Sequence, residues 1–176
     1  MYYYAKDLRR GRSSDYGRPY LITTVTHLRD PIFGDYETAR LMVRELQTTN
    51  SKLHIETLAW VLMPDHLHWL FVLNHSLLSD VVRKLKGKSA YTINTYRGHH
   101  ATVWQKGFHD HALRKDEDIK AVARYIIANP LRAGLVDNIG DYPFWDVLDS
   151  CTTVVLIPCY DWISFWIIFH ITAYAK

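Results

Sequence analysis

Hydrophobic positions in the first third of the chain switch from the spacing of a strand to that of a helix. The segment from Tyr20 to His27 is rich in β-branched residues and predicts a strand. Asp35 is suited to be the N-cap of a helix that runs to about Asn50. The inner face of this helix is predicted to consist of Ala39, Met42, Val43 and Leu46. The chain therefore opens with a strand followed by an amphipathic helix.

Two further apolar runs follow, separated by a short turn signal. His54 to Met63 and His66 to Leu73 each have the length and composition of a strand. Pro64 and Asp65 lie between them and favour a tight turn. These two runs therefore predict a β-hairpin.

A second long helix and a fourth strand are predicted downstream. Ser76 or Ser79 suits the N-cap of the helix, and Gly98 suits its C-cap. The core face of this helix is predicted to contain Leu78, Val81, Val82 and Leu85. The segment from Phe108 to Leu113 is then a candidate strand.

The last predicted helix spans residues 116–129, and Pro130 is predicted to end it. Its apolar stripe consists of Ile119, Val122, Ala123, Ile126 and Ile127. Tyr125 and Asn129 are four residues apart and therefore share one face at the edge of this stripe. A phenol and an amide carbonyl are thus expected side by side on a packed helix.

This order of elements predicts an α+β fold. We expect a ferredoxin-like antiparallel sheet with helices on one face and the tyrosine on a later helix. Residues 1–19 are predicted to form a basic N-terminal arm, residues 20–148 one domain, and residues 149–176 an atypical apolar tail. Polar residues interrupt the tail, so no membrane span is expected from it.

Composition and charge narrow the function only slightly. The 176-residue chain is 48% hydrophobic with a formal net charge of +3, which is ordinary for a globular protein. Basic residues concentrate in the first twenty positions and again between Arg83 and Arg97. Such blocks favour a phosphate-bearing partner, although a solvated helix face explains them equally well. The two cysteines both lie in the tail, which predicts no disulfide framework and a cytoplasmic protein.

His66 and His68 are the most informative residues, because they lie two apart within a predicted strand. Alternate residues of a strand point to the same face, so both imidazoles are expected on one side of the sheet. Two neutral imidazoles can hold one divalent cation and leave its other positions open. Two half-buried histidines with ordinary hydrogen-bond partners would give the same spacing.

Three motifs in a fixed order connect this pair to a known family. They are Pro64-Asp65-His66-Leu67-His68, the segment from Trp104 to His111, and the segment from Tyr125 to Gly134. Together they resemble the REP-associated tyrosine transposases, which are single-tyrosine, His-hydrophobic-His DNA endonucleases related to bacterial insertion-sequence transposases. The resemblance runs from about Arg9 to Trp145 and so covers most of the chain.

The resemblance implies cleavage and rejoining of single-stranded DNA by phosphodiester transesterification. Tyr125 would be the nucleophile and would form a 5′-phosphotyrosine intermediate. The metal ligands would be His66, His68 and Asn129, the last through its amide carbonyl. This donor set favours Mg²⁺ or Mn²⁺, although Zn²⁺ also accepts such ligands. The second His-x-His pair, His109 and His111, is interpreted as structural or as supporting the site from outside the ligand shell.

The implied partner is DNA in the form of palindromic extragenic repeats, which are imperfect hairpins with a single-stranded tag. The candidate DNA-binding residues are Arg9, Arg10, Arg12, Arg18, Lys84, Lys88 and Trp104. Trp104 would serve as a stacking platform, although a position in the core explains this tryptophan better. We expect a monomer or a homodimer, with no membrane partner, in the bacterial cytoplasm near the nucleoid.

Other functions remain open at this point. The first is a DNA-hairpin-binding regulator of the same fold that does not cleave. The second is a plasmid-type relaxase or replication-initiator endonuclease, which the short chain and single helix tyrosine make a poorer match. The third is a structural metal-binding protein that ignores DNA.

Overall fold

The computed structural model describes residues 15–53, 55–115 and 117–147. Most of the predicted arm and the whole apolar tail after residue 148 lie outside these residues, so the predicted domain limits at both ends stay predictions. Tyr20 and Ile22 follow directly from the first described residues and are already almost fully buried. The described part therefore contains the region expected to form the domain.

Five strands and four α-helices make up the described chain. The strands are β1 (Arg18–Val25), β2 (Glu56–Met63), β3 (His66–Leu73), β4 (His109–Ala112) and β5 (Trp145–Val147). The helices are α1 (Tyr36–Leu53), α2 (Leu78–Arg97), α3 (Ile119–Ile127) and α4 (Asn129–Arg132). No helix among the described residues combines the length and apolar character needed to cross a bilayer.

All five strands join one antiparallel sheet in the order β4-β1-β3-β2-β5. The first four strands, with α1 after β1 and α2 after β3, have the ferredoxin-like connectivity that the sequence predicted. The α+β class is therefore confirmed, and β5 extends the sheet beyond β2.

Helices cover both faces of this sheet. The large side chains Leu67, Trp69 and Phe71 of β3 point into the core shared with α1 and α2. Leu70, on the opposite face of β3, packs into a second core with α3. The two long helices lie on one face, as predicted, and the later helix occupies the other face. This second layer is what brings the tyrosine helix to the side of the sheet that carries His66 and His68.

Several predicted boundaries move by a few residues. β1 begins at Arg18, so the last residues assigned to the arm belong to the sheet. The N-cap of α2 is Leu77, which makes no capping hydrogen bond, and neither Ser76 nor Ser79 takes that role. Gly98 does end α2, in the left-handed conformation with φ of 68° that glycine adopts without a Cβ clash.

The predicted 116–129 helix divides in two. Its first part, α3, is capped by the Asp118 side chain, which accepts a hydrogen bond from the Lys120 backbone N–H. The helix stops at Ala128, and Asn129 then begins α4 instead of ending α3. Pro130 occupies the first turn of α4, where the N–H that proline lacks has no intrahelical partner to lose.

Lys86 fastens the segment between α2 and β4 to the fold. Its ammonium donates hydrogen bonds of 2.6 Å to the carbonyl oxygens of both Gln105 and Gly107. Burial lowers the pKa of Lys86 to about 8, so at pH 7 the group still carries its proton and both bonds are charge-assisted. This lysine is therefore structural, although it lies within the basic stretch of α2.

Lys86→Met is expected to lower the free energy of unfolding by about 1–3 kcal/mol, because two carbonyls lose a charged donor. Urea denaturation at pH 7 measures the change. Lys88→Met, on the exposed face of the same helix, serves as the control and should change stability by less than about 0.5 kcal/mol. Equal stability of the two variants would show that Lys86 does not hold this segment.

Candidate active site

His66 and His68 lie at the start of β3 and point to the same face of the sheet. In the register of the sheet, Val25 of β1 lies opposite His66 and Thr23 lies opposite His68. The two imidazole rings are 4.8 Å apart between centroids and nearly perpendicular, with an angle of 86° between their planes. The strand geometry predicted from the His-x-His spacing is therefore present.

Each imidazole is held through its Nδ1 atom. The Asp65 carboxylate accepts a hydrogen bond of 2.5 Å from Nδ1 of His66, and the Thr23 hydroxyl lies 2.8 Å from Nδ1 of His68. Asp65 is itself fixed by Arg29, whose guanidinium donates to its second oxygen at 2.9 Å. Neither Nε2 atom has a hydrogen-bond partner among the described residues.

This arrangement suits a pair of metal ligands. Metal-bound histidines usually donate the N–H of one ring nitrogen to a carboxylate, carbonyl or water, which fixes the tautomer that presents the other nitrogen to the cation. Asp65 supplies such an acceptor for His66, and Thr23 supplies a hydroxyl for His68. Asp65 belongs to one of the three sequence motifs, but the sequence did not predict that it orients His66, and it gave no sign of the contact between Thr23 and His68.

Charges around the pair favour the protonation states that a metal site needs. Burial, followed by the neighbouring charges of His66 and Arg132, lowers the pKa of His68 to about 3, so this imidazole is neutral at pH 7. Burial alone would raise the pKa of the Asp65 carboxyl, but His66 and Arg29 outweigh it and lower that pKa below its ordinary value. Asp65 therefore remains an anionic acceptor beside His66.

Tyr125 and Asn129 approach from the helical layer on the same face. Tyr125 is half-buried at the edge of the core that α3 shares with the sheet. The Asn129 side chain donates through Nδ2 to the Ile126 carbonyl at 2.8 Å and accepts through Oδ1 from Arg132 at 2.7 Å. An amide oxygen has two lone pairs, so one acceptor position of Asn129 remains beyond the Arg132 bond.

Arg132 connects these residues to the histidines. Its guanidinium carbon lies 4.1 Å from the centroid of the Tyr125 ring, in cation–π geometry. The same side chain binds Asn129 and is close enough to His68 to lower the pKa of that imidazole. Sequence reasoning missed Arg132, although its position three residues after Asn129 predicts a shared helix face.

The donor set fits a divalent cation with open coordination positions. No group of three or more His, Cys, Asp or Glu side chains among the described residues is arranged to hold a metal, so a closed structural site of those donors is not found there. Two imidazole nitrogens on one sheet face, with an amide carbonyl in the helical layer that covers this face, are donors that suit a site where a substrate completes the coordination.

The sequence belongs with known DNA-processing proteins. Residues 16–129 match the profile of the family described as IS200-like transposase, which is well over half of the chain. The chain belongs to the IS200-like transposase family. The matched region includes β1, His66, His68, Tyr125 and Asn129, and it ends three residues before Arg132.

Two relatives of this chain are REP-associated tyrosine transposases. The chain is 30% identical over 88 residues to the REP-associated tyrosine transposase of Escherichia coli K12, and 29% identical over 100 residues to a putative REP-associated tyrosine transposase of Haemophilus influenzae. These matches cover 49% and 51% of this chain. They span about half the length of each relative, 50% and 57%.

A solved structure confirms the fold of this IS200-like family member. A REP-associated tyrosine transposase bound to a REP hairpin superposes with a TM-score of 0.68, covering 90% of this chain and 89% of that one. The two sequences are 22% identical, so the likeness establishes the shared fold. The profile match, and not this likeness, confirms the insertion-sequence transposase family predicted from the three motifs.

Two of the predicted DNA-binding residues, Trp104 and Arg18, make hydrogen bonds within the domain. Trp104 is 6% exposed, and its indole N–H donates to the Ser89 hydroxyl at 3.0 Å, so no ring face is free to stack a base. The Arg18 guanidinium bonds the carbonyls of Leu113 and Ala112 and the carboxylate of Asp15. Trp104 therefore belongs to the core, and Arg18 fastens the end of β1 to the chain beyond β4.

Two more of the predicted DNA-binding residues, Lys84 and Lys88, lie away from the candidate active site. Lys84 and Lys88 are exposed, but α2 lies on the opposite face of the sheet from His66 and His68. The arm residues Arg9, Arg10 and Arg12 lie outside the described residues. Their role in DNA binding stays a prediction.

The second His-x-His pair lies apart from the first. His111 is 2.8 Å from the Glu117 carboxylate, and His109 is exposed on β4, beyond β1 from the His66 and His68 strand. This placement supports the structural interpretation of His111.

Thr23→Val is expected to weaken Mn²⁺ binding by about 10–100-fold, because His68 loses the hydroxyl that orients its ring. The substitution preserves shape, so the fold should survive. Thr24→Val is the matched control, since the Thr24 hydroxyl is buried on the other face and has no hydrogen-bond partner among the described residues. Titration of Mn²⁺ by electron paramagnetic resonance measures both affinities, and unchanged affinity in Thr23→Val would contradict the role given to this hydroxyl.

Proposed function

We propose that this protein is a metal-dependent single-stranded DNA endonuclease and transposase that cleaves and rejoins DNA at palindromic extragenic repeat hairpins. The proposal is supported above all by one observation. Two histidines whose Nε2 atoms have no hydrogen-bond partner among the described residues share a sheet face with the helix of Tyr125, and the Arg132 guanidinium lies over the Tyr125 ring while its charge acts on His68.

Tyr125 is the proposed nucleophile. Its hydroxyl oxygen forms a bond to the phosphorus of the scissile phosphodiester while the bond from phosphorus to the 3′-oxygen breaks. The phenol loses its proton as the new bond forms, and the departing 3′-oxygen takes one up, so the products are a 5′-phosphotyrosine and a free 3′-OH. One phosphate ester replaces another, so attack by a second 3′-OH on the phosphotyrosine reverses the step without an external energy source.

His66, His68 and Asn129 would hold the Mg²⁺ or Mn²⁺ ion. When bound, such an ion supplies charge stabilisation for the phosphate and for the departing 3′-oxygen. The chain itself contributes the orientation: Asp65 and Thr23 fix the two rings, and Ile126 and Arg132 fix the Asn129 amide. Neutral His68 can donate its lone pair at pH 7 without first losing a proton.

Arg132 is proposed to bind the scissile phosphate in addition to contacting Tyr125 and Asn129. A guanidinium presents several donors in one plane and suits the oxygens of a phosphodiester. Arg132 is exposed, lies over the nucleophile's ring and is close to His68, so a phosphate approaching Tyr125 meets its positive charge. It would thereby help to align the phosphorus with the Tyr125 hydroxyl.

The site would be assembled within one chain. This proposal is supported by the packing of α3 against the same sheet that carries the two histidines. A monomer would then be sufficient for cleavage, whether or not a homodimer forms for strand transfer. The DNA hairpin is proposed as partner because the solved relative of the same fold is bound to one.

Tyr125→Phe is expected to abolish the covalent adduct, because the attacking oxygen is removed while the ring and its Arg132 contact stay. The assay mixes the protein with a labelled single-stranded repeat and Mn²⁺ and looks for a denaturation-resistant protein–DNA band. The exposed Tyr91→Phe on α2 is the control and should keep the band. Tight hairpin binding without any adduct from the unaltered protein would favour the non-cleaving regulator instead.

His66→Ala and His68→Ala are each expected to remove cleavage while hairpin affinity falls less than about tenfold, since the imidazoles act on the reaction and not on most of the duplex contacts. Gel shift and cleavage are measured on the same protein preparations. A parallel loss of binding and cleavage would mean that the pair serves DNA binding or folding.

Arg132→Gln is expected to slow single-turnover adduct formation by about 10²-fold at saturating DNA, the usual effect of losing one donor to a charged transition state. Arg132→Lys should retain part of the rate because it keeps the charge and loses the planar fork. Arg83→Gln, exposed on α2, is the control. If Arg132→Gln leaves the rate unchanged and only lowers stability, the side chain has a structural role alone.

A further inference from the structure

The connection between β1 and α1 holds two adjacent residues in a backbone conformation that L-residues avoid. Leu28 has φ of 54° and ψ of 22°, and Arg29 has φ of 56°. Neither is a glycine, and left-handed geometry is costly for any residue with a Cβ. Leu28 is also 82% exposed, so no packing of its side chain compensates for the strain.

The strain persists because both ends of the loop are fastened. The Thr26 N–H and hydroxyl both bond the Asp65 carbonyl at 2.9 Å, and the same hydroxyl lies 2.8 Å from the Asp30 carbonyl. The His27 N–H bonds the Val103 carbonyl at 2.9 Å. These anchors force the chain outward between them. Backbone strain that surrounding contacts impose in this way clusters at functional sites.

The loop lies directly beside the candidate active site. Arg29 bonds the Asp65 carboxylate, and Asp65 bonds His66. Leu28 therefore directly precedes Arg29, which is connected through Asp65 to the proposed metal ligand His66. Leu28 itself is exposed, and so are His27 and Arg29 on either side of it.

We propose that Leu28 is an apolar wedge that enters the base stack where the paired foot of a DNA hairpin becomes single-stranded. This inference rests on the proposed function, which needs an unpaired strand next to a duplex. Apolar side chains of DNA-binding proteins insert between base steps and unstack them, while neighbouring cations hold the phosphates. One leucine between two basic or imidazole side chains matches this chemistry, and it is too small a patch for a protein partner.

Three substitutions separate the wedge from the loop that carries it. Leu28→Gln keeps the size and the backbone strain but removes the apolar surface. Leu28→Gly removes the side chain and relieves the strain, so its melting temperature should equal or exceed that of the unaltered protein. Leu28→Met keeps an apolar side chain of similar volume. Leu77→Gln is the control, because Leu77 is 54% exposed at the start of α2, on the other layer.

The experiment places 2-aminopurine in the first base pair of a repeat hairpin with a single-stranded extension and follows its fluorescence at saturating protein. The unaltered protein, Leu28→Met and Leu77→Gln should raise the signal, whereas Leu28→Gln and Leu28→Gly should lose most of that rise. The cleavage rate of Leu28→Gln and of Leu28→Gly should fall at least several-fold on the paired hairpin. It should return to the normal rate on a hairpin whose first pair is mismatched.

Equal fluorescence from the unaltered protein and Leu28→Gln would overturn the wedge, and so would equal cleavage defects on paired and mismatched hairpins. A hairpin that the unaltered protein binds with no rise in signal would also overturn it. Failure of the proposed function is distinct, since the unaltered protein would then form no covalent adduct with either hairpin.

Discussion

The antiparallel register between β1 and β3 is the constraint on which the candidate site depends. It places Thr23 opposite His68, so a hydroxyl from one strand meets the ring nitrogen of the next at 2.8 Å. A slip of β1 by one residue would turn Thr23 to the other face and bring Thr24 in its place, whose buried hydroxyl has no hydrogen-bond partner among the described residues. The buried side chains of β1 resist that slip, because Tyr20 and Ile22 would leave the core shared with α1 and α2.

The helical layer on the histidine face depends on a break in a helix. The end of α3 at Ala128 and the start of α4 at Asn129 let Arg132 reach back to Asn129 and over the Tyr125 ring. Pro130 stabilises this arrangement by occupying a first-turn position. The Arg132 guanidinium thus contacts both the Tyr125 ring and the Asn129 amide.

The local patterns of the sequence predicted most of the fold and the identity of the central residues. Strand and helix periods located β1 to β3 and both long helices, and the His-x-His spacing predicted that His66 and His68 share a face. The split between α3 and α4 was missed because a proline at residue 130 fits the end of one helix and the first turn of another equally well. Contacts between distant segments were also missed, since nothing near Thr23 or Arg29 in the sequence indicates that they serve His68 and Asp65. Sequence alone does not show whether an aromatic residue or a cation binds DNA or holds the fold together. Burial places Trp104 in the core, whereas Arg18 bonds neighbouring carbonyls and its role in DNA binding stays a prediction.

The central claim is that His66, His68 and Asn129 hold one cation within reach of the Tyr125 hydroxyl. A crystal of the full chain grown with Mn²⁺ and measured at the manganese absorption edge tests it most directly. The account predicts one strong anomalous peak within bonding distance of both Nε2 atoms, with the Asn129 oxygen as the third protein ligand and the Tyr125 hydroxyl facing the ion. A saturating Mn²⁺ concentration that leaves both imidazoles without metal, or a peak held by other side chains, would contradict the account.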